Sequence, residues 1–318
     1  MRRFLVSLAW LAGFALLGAG AMEVFMRVMF PHLQAGAARE KLIALGAAFG
    51  LNLFMLAMCF ALLPGARRRP GGMQPFGLAQ GIWGMAGFGL TMTGGGALLA
   101  NVLTVENLAL LARHAPARVD FGGRGFLLAT VLAGESAAAL WVVWYLRRLG
   151  AARVGDGGET GIGWRAAPVR AYAAAAMMAA GIVGIVMLLF HFIPPDMRAL
   201  GDLPDAKLFE GSGLAVLPLL AVAVFIGPAL EEMVFRGIAF AGLATRLGPV
   251  WAGVVTTVVF MAAHAPEKIY YPPGFIDVGL MAACAVVLRL RFRSIRPAIA
   301  LHVLYNLGSM LAAALLVP

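Results

Sequence analysis

Apolar residues in this chain neither alternate nor recur every third or fourth position; they run on in long blocks parted by short basic, polar or Gly/Pro-rich stretches. A helix that crosses a bilayer needs roughly 20 mostly apolar residues. That rule marks nine spans, at about 4–27, 42–64, 81–104, 125–146, 171–193, 213–245, 249–265, 274–290 and 297–316. The third is the weakest, being broken by Thr93-Gly94-Gly95-Gly96, and the stretch Val105–Ala112 after it suits an interfacial helix better than a loop. The first follows Arg2-Arg3 but exceeds a signal-peptide core and lacks a small-residue cleavage site, so it reads as an uncleaved helix. The expected fold class is therefore all-α: a polytopic transmembrane bundle of eight or nine spans.

Basic residues give the orientation. With the N-terminus inside, the inner segments hold 15 Lys and Arg residues and the outer ones 8, which predicts a cytoplasmic N-terminus. The longest inner loop, Arg147–Arg170, is polar and Gly-rich. It divides a four-span part, residues 1–165, from a five-span part, residues 166–318. The two parts show no internal repeat, which argues against an inverted-repeat transporter.

Composition agrees with the pattern. The chain is 62% hydrophobic and 13% charged, too little polar surface for a water-facing fold of 318 residues. Its net charge of +10 falls in clusters between spans, so the partner it indicates is membrane lipid and not nucleic acid. Cys59 and Cys284 each stand alone in apolar runs, which leaves no disulfide framework.

Ionisable residues inside spans cost at least about 2.5–3.5 kcal/mol each, so each asks for a partner or a task. Glu23 and Arg27 can pair on one face, Asp277 suits a helix start after Pro272-Pro273, and Glu135 sits among small residues with no assigned role. The sixth span is different. In Glu231-Glu232-Met233-Val234-Phe235-Arg236, Glu232 and Arg236 are four apart and share a helical face, while Glu231 points away as a desolvated carboxylate suited to general-base work. Glu231 precedes Gly248 by 17 residues and His264 follows it by 16, which sets both about 25 Å from the turn on adjacent antiparallel helices. The ninth span adds His302 and Asn306, one turn apart on one face. Counted from Arg296 they lie only about 9–15 Å deep, shallower than Glu231.

These residues in this order, Glu231-Glu232-x-x-x-Arg236, Phe260-x-x-x-His264 and His302-x-x-x-Asn306, resemble the CAAX protease and bacteriocin-processing enzyme family, also called the Abi family of intramembrane proteases. The resemblance covers about residues 213–318. It implies hydrolysis of a peptide bond in a membrane-associated protein or peptide, of CAAX or leader-peptide type, in a bacterial cytoplasmic membrane. On that carry-over Glu231 is the general base, His264 binds and polarises the water, and His302 with Asn306 stabilises the oxyanion. Glu232, Arg236 and Phe260 support them. The family is described both as metalloprotease and as glutamate-type protease. No compact zinc motif such as H-E-x-x-H occurs, so a mechanism without cofactor is expected, and zinc, if used, would be held by Glu231, His264 and His302. Two rival readings stay open: a transporter using Glu231 and His264 as a proton relay, and a catalytically silent immunity or scaffold protein.

Overall fold

The computed structural model describes residues 16, 20, 23, 76–113, 124–196 and 217–316. Apart from those three isolated positions, the expected spans 4–27 and 42–64 lie outside it, as does Arg27. Among the described residues every regular element is helical. In chain order these are α1 (Leu78–Ala112), α2 (Arg124–Leu149), α3 (Ala151–Gly155), α4 (Val169–Phe192) and α5 (Leu217–Ala221). A π-helical segment Val222–Ile226 follows, then α6 (Gly227–Glu232), a second π-helical segment Met233–Ala239, and α7 (Phe240–Ala263). The series closes with α8 (Ala265–Lys268), α9 (Gly274–Phe292) and α10 (Arg296–Leu316).

Four stretches among the described residues are long and apolar enough to cross a membrane: Leu78–Asn107, Gly125–Leu149, Val169–Phe192 and Leu217–Ala263. The expected spans 274–290 and 297–316 are present as helices α9 and α10. One difference concerns Val105–Ala112, which is no separate interfacial helix but the continuation of α1. A helix gains a backbone hydrogen bond with each added residue, and nothing in Val105–Ala112 breaks it.

The chain forms two compact units, Met1–Gly65 with Gly89–Ala138, and Ala66–Phe88 with Ala139–Pro318. In the described part of the first, the Gly-rich run of α1 stays helical and serves helix contact. A Cβ at position 95 would come within 2.7 Å of the Ala137 Cβ, and one at position 134 within 2.5 Å of the Met92 carbonyl oxygen. Small residues that let two backbones approach are how apolar helices associate where lipid offers no hydrophobic driving force.

The second unit holds α4 to α10. Helix α4 buries one stripe, Ala171, Ala175, Ala179, Ile182 and Val186, at spacings of three and four, while Val169, Met177, Leu188 and Phe192 stay exposed on its other sides. That stripe packs along α10 and α9, and α9 packs on α7. Exposed large apolar side chains are what a lipid-facing surface requires.

The turn between the sixth and seventh expected spans lies where the Gly-Pro pair put it. Gly248 has φ 73° and ψ 167°, a conformation essentially confined to glycine, and Pro249 begins the next helical stretch. Gly248→Ala is expected to lower the melting temperature of the detergent-solubilised protein, since the strain costs about 1–3 kcal/mol. Gly181→Ala, where an added Cβ meets nothing within 4 Å, should leave it unchanged or raise it. Equal melting temperatures for Gly248→Ala and the parent would contradict the assigned turn.

Candidate active site

The segment that carries the two glutamates is irregular helix. Pro228 lies inside the continuous helical stretch Leu217–Ala263 and removes a backbone donor where the first π-helical segment meets α6, and six residues of α-helix separate the two π-helical segments. A π-helical turn is rare and found chiefly at functional sites. Here the wide turns bracket Glu231 and Glu232 on both sides.

Glu232 has no exposure, and neither has Arg236. Arg236 Nη1 lies 3.1 Å from Glu232 Oε1, the i,i+4 pair expected from the spacing. The contact is an ion pair without aligned hydrogen-bond geometry, and the guanidinium instead lies over the Phe260 ring, 4.5 Å from its centroid. The same Oε1 takes a second partner. His302 Nδ1 is 3.1 Å away, and since a carboxylate only accepts, the Nδ1–H of His302 donates to Glu232. The spacing of residues 231–236 assigns Glu232 to Arg236 alone; the histidine is an addition that only the packing of α10 on α6 supplies.

With its proton on Nδ1, neutral His302 turns the lone pair of Nε2 outward, toward Glu231. Glu231 Oε2 is 3.8 Å from that nitrogen, too long for a direct hydrogen bond and short enough for one water to span. The two carboxylates therefore address opposite nitrogens of one ring. They differ in access: the Glu232 side chain is sealed and that of Glu231 retains 23% exposure.

His264 joins through Phe260, four residues earlier on the same face of α7. Its ring lies 4.5 Å from the Phe260 centroid, and the Phe260 ring lies 5.8 Å from His302 and 5.1 Å from Phe235. His264 Nδ1–H donates to the Phe260 carbonyl at 2.9 Å, which puts the lone pair of the ring on Nε2. Asn306 is held differently. Its amide donates at 2.8 Å to the carbonyl of Ala223 in the first π-helical segment, tying α10 to the helix that carries the glutamates.

Two further residues belong to this neighbourhood. The Tyr305 hydroxyl donates to Asp277 Oδ2 at 2.6 Å, with both side chains buried, and the Tyr305 ring lies 6.5 Å from His302. Asp277 thus does more than suit a helix start. A polar residue between His302 and Asn306, together with an in-span aspartate on the preceding helix, was the sequence signal for this pair. Among the described residues no three His, Cys, Asp or Glu side chains are grouped to hold a metal ion.

The depth difference read from the sequence resolves in the same geometry. Glu232 touches His302 although it lies 16 residues before Gly248 and His302 only 6 after Arg296, so its helix runs on about 15 Å farther past the contact.

Residues 213–308 match the family model described as type II CAAX prenyl endopeptidase Rce1-like. This part of the chain belongs to the CAAX protease and bacteriocin-processing enzyme family. Neither a curated protein nor a solved structure matches the chain. The CAAX-protease match covers about a third of the 318 residues, and Glu231, Glu232, Arg236, Phe260, His264, His302 and Asn306 all fall inside it. With the long apolar helices, it marks an integral membrane protein whose residues 213–308 match an endopeptidase family.

The unequal burial of the two carboxylates makes them separable. Glu232→Ala leaves Arg236 buried without its counter-ion and should cost about 3–5 kcal/mol, read as a large drop in detergent melting temperature. Glu231→Gln, at the part-exposed position, should melt within a few degrees of the parent. A Glu232→Ala protein as stable as the parent would show that the buried pair carries no such weight.

Proposed function

We propose that the protein is an intramembrane endopeptidase in which Glu231 activates a water molecule for attack on a peptide bond. The observation that carries this reading is the single ring of His302 set between a sealed carboxylate and an accessible one, inside the segment that matches a peptidase family. A water between Glu231 Oε2 and His302 Nε2 would give its hydrogens to two acceptors, which raises the nucleophilicity of its oxygen. Glu231 takes the proton as the water oxygen bonds to the carbonyl carbon, and returns it to the amine nitrogen as the C–N bond breaks.

The oxyanion needs donors. Asn306 has a second amide N–H beyond the one given to Ala223. His302 would add Nε2–H only in the form that has taken a proton from solvent at Nε2, its charge stabilised by Glu232 through Nδ1–H; in that form the water is held by Glu231 and His264 instead. His264, with Nδ1–H committed to the Phe260 carbonyl, offers Nε2 as an acceptor that helps hold the water. Arg236 and Phe260 hold Glu232 and both histidine rings in place. The peptide and membrane lipid are the partners, and no cofactor enters the reaction as written. Zinc held by Glu231, His264 and His302 is the competing electrophile.

The substrate class to test first is a peptide ending in a prenylated Cys-aliphatic-aliphatic-X sequence, with a leader peptide as the second. Purified protein in bacterial-lipid vesicles should cleave one of them, and Glu231→Gln should abolish cleavage while the protein stays folded. Hydrolysis by Glu231→Gln at parental rate would overturn the assignment of the base.

Loss of one oxyanion donor costs about 10²–10³ in turnover. Asn306→Ala should therefore slow cleavage by that order at nearly unchanged Michaelis constant, and chelator should leave the parent active. Stoichiometric zinc in active protein, lost with activity on chelation and restored with it, would replace the metal-free mechanism and leave the peptidase reading standing.

A further inference from the structure

Residues 156–165 lie between α3 and α4, far in sequence from the matched segment, and their composition (Gly155-Asp156-Gly157-Gly158-Glu159-Thr160-Gly161) reads as a solvated connection. The structure holds them down at every step. Gly158 N–H donates to Asp156 Oδ1, and the Ile162, Gly163 and Trp164 N–H groups return to the carbonyls of Arg153, Asp156 and Val154. Arg289 of α9, with 1% exposure, donates to the carbonyls of Gly157, Gly158 and Gly161 at 3.4, 2.9 and 2.7 Å. Just past α9, Ile295 N–H donates to Gly163 O, Ser294 Oγ–H to Arg165 O, and the Arg296 guanidinium lies over the Trp164 ring. A buried guanidinium spending its donors on three backbone carbonyls fixes a peptide segment far more firmly than a surface loop requires.

The segment has one apolar residue at its centre. Ile162 is fully buried, and its Cγ2 lies 2.9 Å from where a Cβ at position 237 would stand. Gly237 belongs to the second π-helical segment and follows Arg236 directly. Only glycine lets the isoleucine press on the backbone of that turn. The Arg289 guanidinium also lies 5.5 Å from the ring of Phe240, the first residue of α7 after that segment. A π-helical turn is a rare departure from the regular helix, so what packs against it bears on whether it keeps its shape. Here part of those surroundings, Ile162, comes from outside the matched residues.

We infer that residues 156–165 form a strap, latched by Arg289, whose Ile162 positions the Glu232–Arg236 turn and through it the His302 ring. Ile162 touches none of the reacting groups; it is a positioning residue, and this role rests on the peptidase reading of the site. The strap sets the turn, the turn sets Glu232 Oε1, and Glu232 sets the direction in which His302 faces Glu231. Misplacement of a catalytic group by about 1 Å costs on the order of 100-fold in rate, so the void left by truncating Ile162 to alanine should be felt as turnover.

The test uses the full chain in lipid vesicles and a complementary pair. Ile162→Ala opens space against the turn, Gly237→Ala forces a Cβ onto Ile162, and the double variant puts the new methyl into the space the first one leaves. Hydrogen exchange of peptides covering 230–240, with α4 as the internal reference, reads the strap without reference to activity. Ile162→Ala should raise exchange in 230–240 and not in α4. It should lower kcat about 10- to 100-fold with KM within about twofold, Ile162→Val should restore most of the rate, and the double variant should exceed both singles. Unchanged exchange in 230–240 overturns the strap whether or not the protein cleaves peptides. Raised exchange with parental kcat in an active protein overturns the positioning role. Absence of hydrolysis by the parent defeats the peptidase reading and leaves the strap to be judged on exchange. If Ile162→Ala does not fold, the Gly237→Ala and Ile162→Val pair carries the same comparison.

Discussion

A carboxylate in the middle of an apolar helix bundle has to be satisfied by protein, and the rest of the site follows from how Glu232 is satisfied. It has no exposure, and its Oε1 is shared by Arg236 from its own helix and His302 from α10. Bringing these charges out of water is costly, and their attraction offsets that cost only when the geometry is good. Once the three are joined, however, the position of α10 against α6 is set by an interaction that tolerates little movement, because any displacement leaves a charge buried alone. The tautomer of His302 is a by-product of the same contact. Its Nδ1–H is committed to Glu232, so Nε2 is the nitrogen that meets Glu231.

The two carboxylates are adjacent in sequence and of the same type, yet their environments give them separate work. Glu232 is sealed, twice contacted and structural in consequence. Glu231 is reachable and stands 3.8 Å from a ring nitrogen. On the proposed mechanism water has to reach the base, and of the pair only Glu231 has exposed surface. The two glutamates close a six-residue piece of α-helix, which turns successive residues about 100° apart, and π-helical turns stand on either side of it. Asn306 and Ile162 then act on the irregular helix from two directions, the first through the carbonyl of Ala223 and the second against Gly237.

Residues that the family match contains and residues that it does not contain both hold this helix. Arg289 lies within the matched segment, and the carbonyls it engages lie about 130 positions earlier, in a stretch whose glycines and acidic residues look like a linker. The seven residues Gly155–Gly161 could be polar or glycine for many reasons. The physical sign that they are structural is that a fully buried cation depends on them.

Much of this was legible in the chain itself, wherever the deciding spacing is local. The apolar blocks predict helices that the described residues contain, the Gly248-Pro249 pair predicts the turn, and the four-residue interval predicts the Glu232–Arg236 pair, since a helix fixes which neighbours share a face. The order of the three motifs was enough to reach the family. Tertiary structure alone decided which nitrogen of His302 meets which glutamate, that Asp277 belongs to Tyr305, that Asn306 is anchored to Ala223, and that the Gly-rich loop is bound to Arg289. Each of these joins different helices or a helix and a loop. Their register depends on how far each helix runs beyond its turn and how it is rotated about its axis. Packing sets both quantities, and local spacing carries no information about either.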